Sequence, residues 1–416
     1  MCTFARGMKA RHIIVLFAAL EALSCSKLSM EPQMSVRVSE QDVIDGKDIS
    51  GSGLPVLFVK TSDGKGVKEK TRSKDAGLSM YDGSGLELVR DLSMSIKGRG
   101  HGSWGFPKKP YNLSLAEPLP LLGGSRERDW CLLANWRDMT LLRNDVALEI
   151  SRCTSLEWTP AGRFVDLVVD GRYQGNYYLC EKVQVAPGRV DVEDDGWLIC
   201  LDNYYDATYR FKSKIRQLPV NIKLADGCAL DLESFNKIRA CIDAAEDALY
   251  RGAGDWTAMI DMQSFCDWLI VHELTGNNEP TRPHSVYMHK RSDGLITAGP
   301  CWDFDCRTFM PGRKGLLNRN TVWFDALLAK EEFCSLLKER WHSLKPVFEQ
   351  YIVGYIDDVW ASIEASAEMD RRMWPISTVY SSSNGDENLS PAEAFERLRS
   401  AYAERLISLD EAICAL

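Results

Sequence analysis

The repeat length of the apolar residues changes along this chain, and that change constrains the fold more than any single motif. In the first half the repeat is two. Leu54-Pro-Val-Leu-Phe-Val-Lys60 reads as a strand ending in the turn Ser62-Asp-Gly-Lys-Gly66, and the stretches 86–89 and 93–97 alternate as half-buried strands do. Residues 163–169 and 173–179 read as a hairpin, because Asp170-Gly171 suits a tight turn that needs positive φ. Trp197-Leu-Ile-Cys-Leu201 adds another strand. One early helix is expected over 138–153, with Leu141, Leu142, Val146, Leu148 and Ile150 on one side. Helical spacing then takes over at 233–250 and 262–274, at 333–363 with a break at Pro346, and at 391–416. A strand-rich N-terminal half and a helical C-terminal half predict an α+β body without repeats, arranged as two lobes with a cleft between them.

The chain's 416 residues, 45% of them apolar, suffice for one large core or two modest ones. A net charge of −9 argues against binding nucleic acid through phosphate neutralisation. None of the 13 cysteines stands in a CxxC spacing, which removes a zinc ribbon or a thioredoxin-like motif, and several lie in apolar runs as small buried hydrophobes.

The N-terminus reads as an address. Arg6, Lys9 and Arg11 precede the apolar run 13–23, which is too short to cross a bilayer and ends in Ala22-Leu23-Ser24-Cys25. That ending is similar to a bacterial lipobox. Residues 1–24 are expected to be a lipoprotein signal peptide, Cys25 the lipidated residue, and 25–52 a polar, Ser-rich tether. Residues 53–416 would form the folded domain, held at the cell envelope by the lipid anchor only. A plain secretory signal is the alternative.

Three clusters could carry chemistry. In Lys97-Gly-Arg-Gly-His-Gly-Ser-Trp-Gly-Phe-Pro-Lys-Lys109, glycines alternate with the cations Lys97, Arg99, Lys108 and Lys109, as an anionic ligand requires. A solvated basic turn would look the same. In Gly299-Pro-Cys-Trp-Asp-Phe-Asp305, an extended backbone would aim Asp303 and Asp305 in one direction, offering hard oxygens to Mg2+, although such pairs also cap turns. The loop 273–287 packs Asn277, Asn278, Glu279, Arg282 and His284 between an apolar helix and a strand, unusual polarity for a connector.

These elements, in this order, resemble the CotH (spore coat protein H) kinase-like family. The resemblance rests on Lys97 to Trp104 with Pro107-Lys-Lys109, and on Leu132-Leu-Ala-Asn-Trp-Arg-Asp138 with Arg143-Asn144. It rests also on Val168 to Glu181, Asn277-Asn-Glu279 and Gly299 to Asp305. It implies an atypical protein-kinase-like fold and transfer of phosphate from ATP to a protein or glycan hydroxyl, with Mg2+ or Mn2+. By the same resemblance Lys97, Arg99 and Lys108 or Lys109 would steady the nucleotide phosphates, with Glu181 as an ion-pair partner of the lysine. Asp303 and Asp305 would hold the metal. The loop 277–284 would orient the acceptor, Glu279 serving as base beside Asn277, Asn278 and Arg282, and His284 lying near a metal-ligand position.

The chain departs from the family at Glu279 (Asp is usual), at His284 and at His101. Because these departures gather at the expected site, the alternative is a catalytically weak or inactive pseudokinase that binds a ligand or partner.

Overall fold

The computed structural model describes residues 31–225, 227–376 and 384–416. Seven strands close into a barrel: β1 (Val56–Thr61), β2 (Lys74–Tyr81), β3 (Glu87–Gly98), β4 (Tyr111–Leu119), β5 (Glu127–Leu133), β6 (Gly162–Val169) and β7 (Arg172–Glu181). Their order around the barrel is β1-β2-β3-β4-β5-β7-β6, antiparallel except where β1 meets β6. Alternation decides which residues fill it. Leu57, Val59, Leu78, Met80, Ile96, Leu113, Leu132, Val165, Leu167 and Leu179 point inward and form one core.

The outward residues of the same strands serve the rest of the molecule. Cys131 on β5, Phe164 on β6, and Tyr178 and Cys180 on β7 belong to a second, larger core. That core also holds a five-stranded sheet of β8 (Trp197–Leu201), β9 (Arg210–Lys212), β10 (Pro219–Lys223), β11 (Val286–Lys290) and β12 (Thr297–Ala298), in the order β12-β11-β8-β10-β9. Around it pack α2 (Arg143–Arg152), α3 (Leu232–Arg251), α4 (Met262–Leu274), α5 (Phe324–Leu327), α6 (Glu331–Val347), α7 (Val353–Met373) and α8 (Pro391–Cys414). In α4 every residue from Ser264 to Leu274 is buried, the polar Ser264, Asp267, His272 and Glu273 included, so the helix is enclosed on all sides. The α+β expectation holds, and the strand-rich half is a closed barrel.

Local chemistry sets the boundaries. Asp170 (φ 49°) and Gly171 (φ 73°) supply the two positive φ angles of the β6–β7 hairpin. Ser390 and Glu393 form a capping box behind Pro391 at the start of α8.

Some sequence expectations are corrected. The two strands expected at 86–97 are one strand, irregular near Asp91 (φ 45°), where the register against β2 shifts. The helix expected from 138 begins only at Arg143, because the Asp138 carboxylate accepts bonds from Thr140 N and Arg143 N and folds a turn there instead. Pro346 lies inside α6, and the irregularity starts two residues later, a wide turn at Phe348–Ile352 leading into α7. Within the stretch read as a tether, Ser39 and Asp42 cap a short helix, α1 (Glu40–Ile44), and Val38 and Val43 are buried. Cys25 lies outside the described residues.

Candidate functional site

The glycine-rich segment leaves the end of β3, and its glycines have distinct roles. A Cβ on Gly98 would lie 2.2 Å from the Trp104 ring, and one on Gly100 2.0 Å from Ser103 Oγ. Gly98 therefore makes room for Trp104. At Gly102 the nearest atom to a Cβ would be Tyr204 OH at 4.0 Å, so this glycine faces open space.

Beyond the turn, residues 106–112 alternate between two cavities. Phe106, Lys108, Pro110 and Asn112 line a cleft of about 570 Å3 together with Arg99 to Ser103. Pro107, Lys109 and Tyr111 line a second cavity of about 950 Å3 at the mouth of the barrel, with Trp104.

The cleft's opposite wall carries Trp302, Asp303, Asp305, Glu279, His284, Asp202 and Tyr204. The cationic turn and the carboxylate segment, nearly two hundred residues apart in sequence, thus share one space. The Arg99 guanidinium lies 5.3 Å over the Trp302 ring. Asparagines fix the carboxylate segment through its backbone. Asn277 Nδ2 donates to Asp303 O (3.3 Å), Phe304 N donates to Asn144 Oδ1 (2.7 Å), and Asn384 Nδ2 donates to Asp305 O (2.8 Å). Asp303 itself has φ 70°, a strained value for a residue with a side chain, held by those bonds.

Burial pushes the Asp303, Asp305 and Glu279 carboxyls up, Asp305 to about 8, and the neighbouring Asp303 charge adds to the shift at the other two. The hydrogen bond from His284 to Asp202 (3.1 Å) raises the imidazole's pKa against the effect of burial. Tyr204 stacks on His101 at 3.8 Å between ring centres and reaches His284 at 5.0 Å.

Several expected residues have other duties. Lys108 borders the cleft but is fully buried, its ammonium bonded to Asp370 (2.6 Å) and to Asn176 O. Lys109 faces the barrel mouth and donates to the carbonyls of Trp104 and Phe106. Glu181 partners neither lysine: its carboxylate accepts from Ser125 N (2.6 Å) and Ala161 N (2.8 Å) at the far end of β7. Lys97 pairs with Asn112 across β3–β4, beside the cleft without lining it.

In the loop, Asn277 is buried and its Oδ1 accepts from Glu279 N (2.9 Å), so it shapes the loop instead of facing the cleft. Asn278 and Arg282 do not line the cleft, and Arg282 is exposed. Arg99, Glu279, His284, Asp303 and Asp305 remain.

Asp202, Tyr204 and Lys223 also line it. They stand at the ends of β8 and β10, where no motif marks them. Position after a buried strand was the only available signal.

Three carboxyls driven toward protonation in one cleft form a site short of positive charge, and a divalent ion would relieve it. Among the described residues no group of three or more His, Cys, Asp or Glu side chains makes a complete ligand set. Mg2+ fits that arrangement, since it keeps waters and phosphate oxygens as ligands and asks the protein for only one or two carboxylates.

The fold and the cleft define an α+β protein with a polar cleft between a barrel and a helical body, Arg99 on one wall and carboxylates on the other. Residues 96–403 match the family described as CotH kinase protein, and the chain belongs to that family. No curated protein matches it.

Proposed function

We propose that the chain is an exported, lipid-anchored kinase that transfers phosphate from ATP to a protein or glycan hydroxyl, with Mg2+ or Mn2+ as the metal. One observation carries the reading: the Arg99 turn and the Asp303–Asp305 segment line the same cleft. Its volume lies within the roughly 300–1,000 Å3 common for ligand pockets.

In this reading Arg99, Arg137 and Lys223 are cleft cations that attract the phosphates. Asp303 and Asp305 would hold the metal, whose charge would neutralise the phosphate oxygens. Glu279 is the cleft carboxylate placed to take the proton of the acceptor hydroxyl, and burial, by raising its pKa, strengthens it as a base. Tyr204, stacked on His101 and tilted against His284, adds aromatic surface to the cleft wall for the acceptor.

Thermal melting with Mn2+ and ATP tests this. A ligand at a hundred times its Kd stabilises the native state by about 2.7 kcal/mol. The melting point should rise, and Asp303→Ala should abolish the rise. No shift at millimolar ligand would remove the nucleotide reading. Phosphate transfer to the chain itself or to envelope proteins, followed by mass spectrometry, tests catalysis. Release from membranes on Cys25→Ala tests the anchor.

A second reading, a pseudokinase that only binds, is favoured by Lys108. The lysine expected at the phosphates is instead neutralised by Asp370. Nucleotide binding without transfer, unchanged by Glu279→Asp, would select it.

A further inference from the structure

The barrel has a charged mouth that the proposed chemistry does not use. Its cavity, about 950 Å3, is bounded by the β1–β2 turn, the N-terminal segment at Arg37, the start of β7 and the aromatic side chains of Trp104, Tyr111 and Trp374. Five cations line it against two carboxylates, Glu31 and Asp170, in a chain whose net charge is −9.

One of those carboxylates is already committed. Asp170 accepts from Thr61 N (2.8 Å), Thr61 Oγ1 (2.7 Å) and Gly66 N (2.7 Å), so it fixes the β1–β2 turn. Of the cations, Lys109 is bonded to carbonyls. Arg37, Lys65, Lys68 and Arg172 have no ion-pair partner among the described residues, and all four are exposed. They come from three separate stretches of chain, brought together because Arg37 bridges to Arg172 on β7 while Asp170 ties the β1–β2 turn to the β6–β7 hairpin.

Four like charges around one cavity repel one another, and a multivalent anion reverses that cost. Two of the four are guanidinium groups, whose forked donors match pairs of phosphate oxygens, and two are ammonium groups that act as point charges. We propose that the barrel mouth binds a phosphate-bearing ligand through Arg37, Lys65, Lys68 and Arg172, at a site separate from the cleft. The phosphate has two possible sources, a phospholipid headgroup or a soluble phosphorylated compound.

The full chain is compared with the quadruple variant Arg37→Glu, Lys65→Glu, Lys68→Glu, Arg172→Glu and with Arg99→Ala. Inorganic pyrophosphate is the probe in isothermal titration at two salt concentrations. The second probe is cosedimentation with phosphatidylglycerol or phosphatidylcholine vesicles. Wild type and quadruple variant share the same N-terminus, so its contribution cancels in the difference.

Binding weakened about tenfold or more by the four reversals, weakened by salt and kept in Arg99→Ala is the expected result. Pyrophosphate binding with this pattern identifies a soluble source. A reversal-sensitive preference for phosphatidylglycerol identifies a headgroup. Equal behaviour of wild type and quadruple variant with both probes overturns the proposal. So does loss of binding in Arg99→Ala alone, which would assign the phosphate to the cleft. An unchanged melting point of the quadruple variant establishes that its fold is intact.

Discussion

The two cavities share a wall and differ in how their charges are held. In the cleft the carboxyls are half-buried, the backbone of 303–305 is clamped by Asn277, Asn144 and Asn384, and desolvation raises the proton affinity of Asp305. At the barrel mouth Arg37, Lys65, Lys68 and Arg172 stand in solvent, free of ion-pair partners among the described residues. A buried charge is therefore part of the fold, and its removal costs stability. An exposed one has little structural role. The wall itself, residues 106–112, faces alternately to each side, Lys108 to the cleft and Lys109 to the mouth, and both lysines are buried.

The largest test of that difference is Lys108→Ala. It leaves buried Asp370 with only the more distant Arg371 (3.9 Å) as a cation and should cost about 3–5 kcal/mol by urea unfolding. A loss below about 1 kcal/mol would mean that the wall does not depend on the pair. Gly98→Ala comes next. A methyl group 2.2 Å from the Trp104 ring must displace it, at about 1–3 kcal/mol, with a change in tryptophan fluorescence.

A smaller effect is expected from pH. Asp166 is buried on β6, accepting from Tyr173 OH (2.7 Å) and Ser366 Oγ (3.4 Å), and burial raises its pKa to about 7. The folded state thus keeps the proton at pH values where the unfolded chain has released it. Stability should fall by about 1–3 kcal/mol between roughly pH 4 and pH 7 and then level off. Urea midpoints across that range should show the decline, and Asp166→Asn should flatten it. The smallest change belongs to the mouth: Lys65→Ala or Arg172→Ala should alter stability by no more than about 0.5 kcal/mol. A larger loss would erase the contrast between the two cavities.

Much of this architecture was legible in the sequence. The hairpin at Asp170-Gly171 could be read because its turn chemistry is local, and the last helix because its periodic apolar positions are. The convergence of the glycine-rich turn with Asp303 and Asp305 followed from the ordered family motifs, since no local pattern reports a meeting across the fold.

What stayed hidden depended on distant partners or on parity. Nothing near Lys108 announces Asp370 on α7, and nothing near Glu181 announces the amides of Ser125 and Ala161. Asn277 looked catalytic because a polar loop does not show which amides turn inward. Lys108 and Lys109 could not be told apart, as adjacent residues of an extended segment take opposite sides.

That alternation has a consequence for sequence change. Point substitutions in 106–112 alter one cavity at a time. An insertion or deletion of a single residue there would send every following side chain to the wrong compartment, turning Tyr111 toward the cleft and, if placed before Lys108, breaking its pair with Asp370. The length of this segment should consequently be held more strictly than the identity of its exposed neighbours.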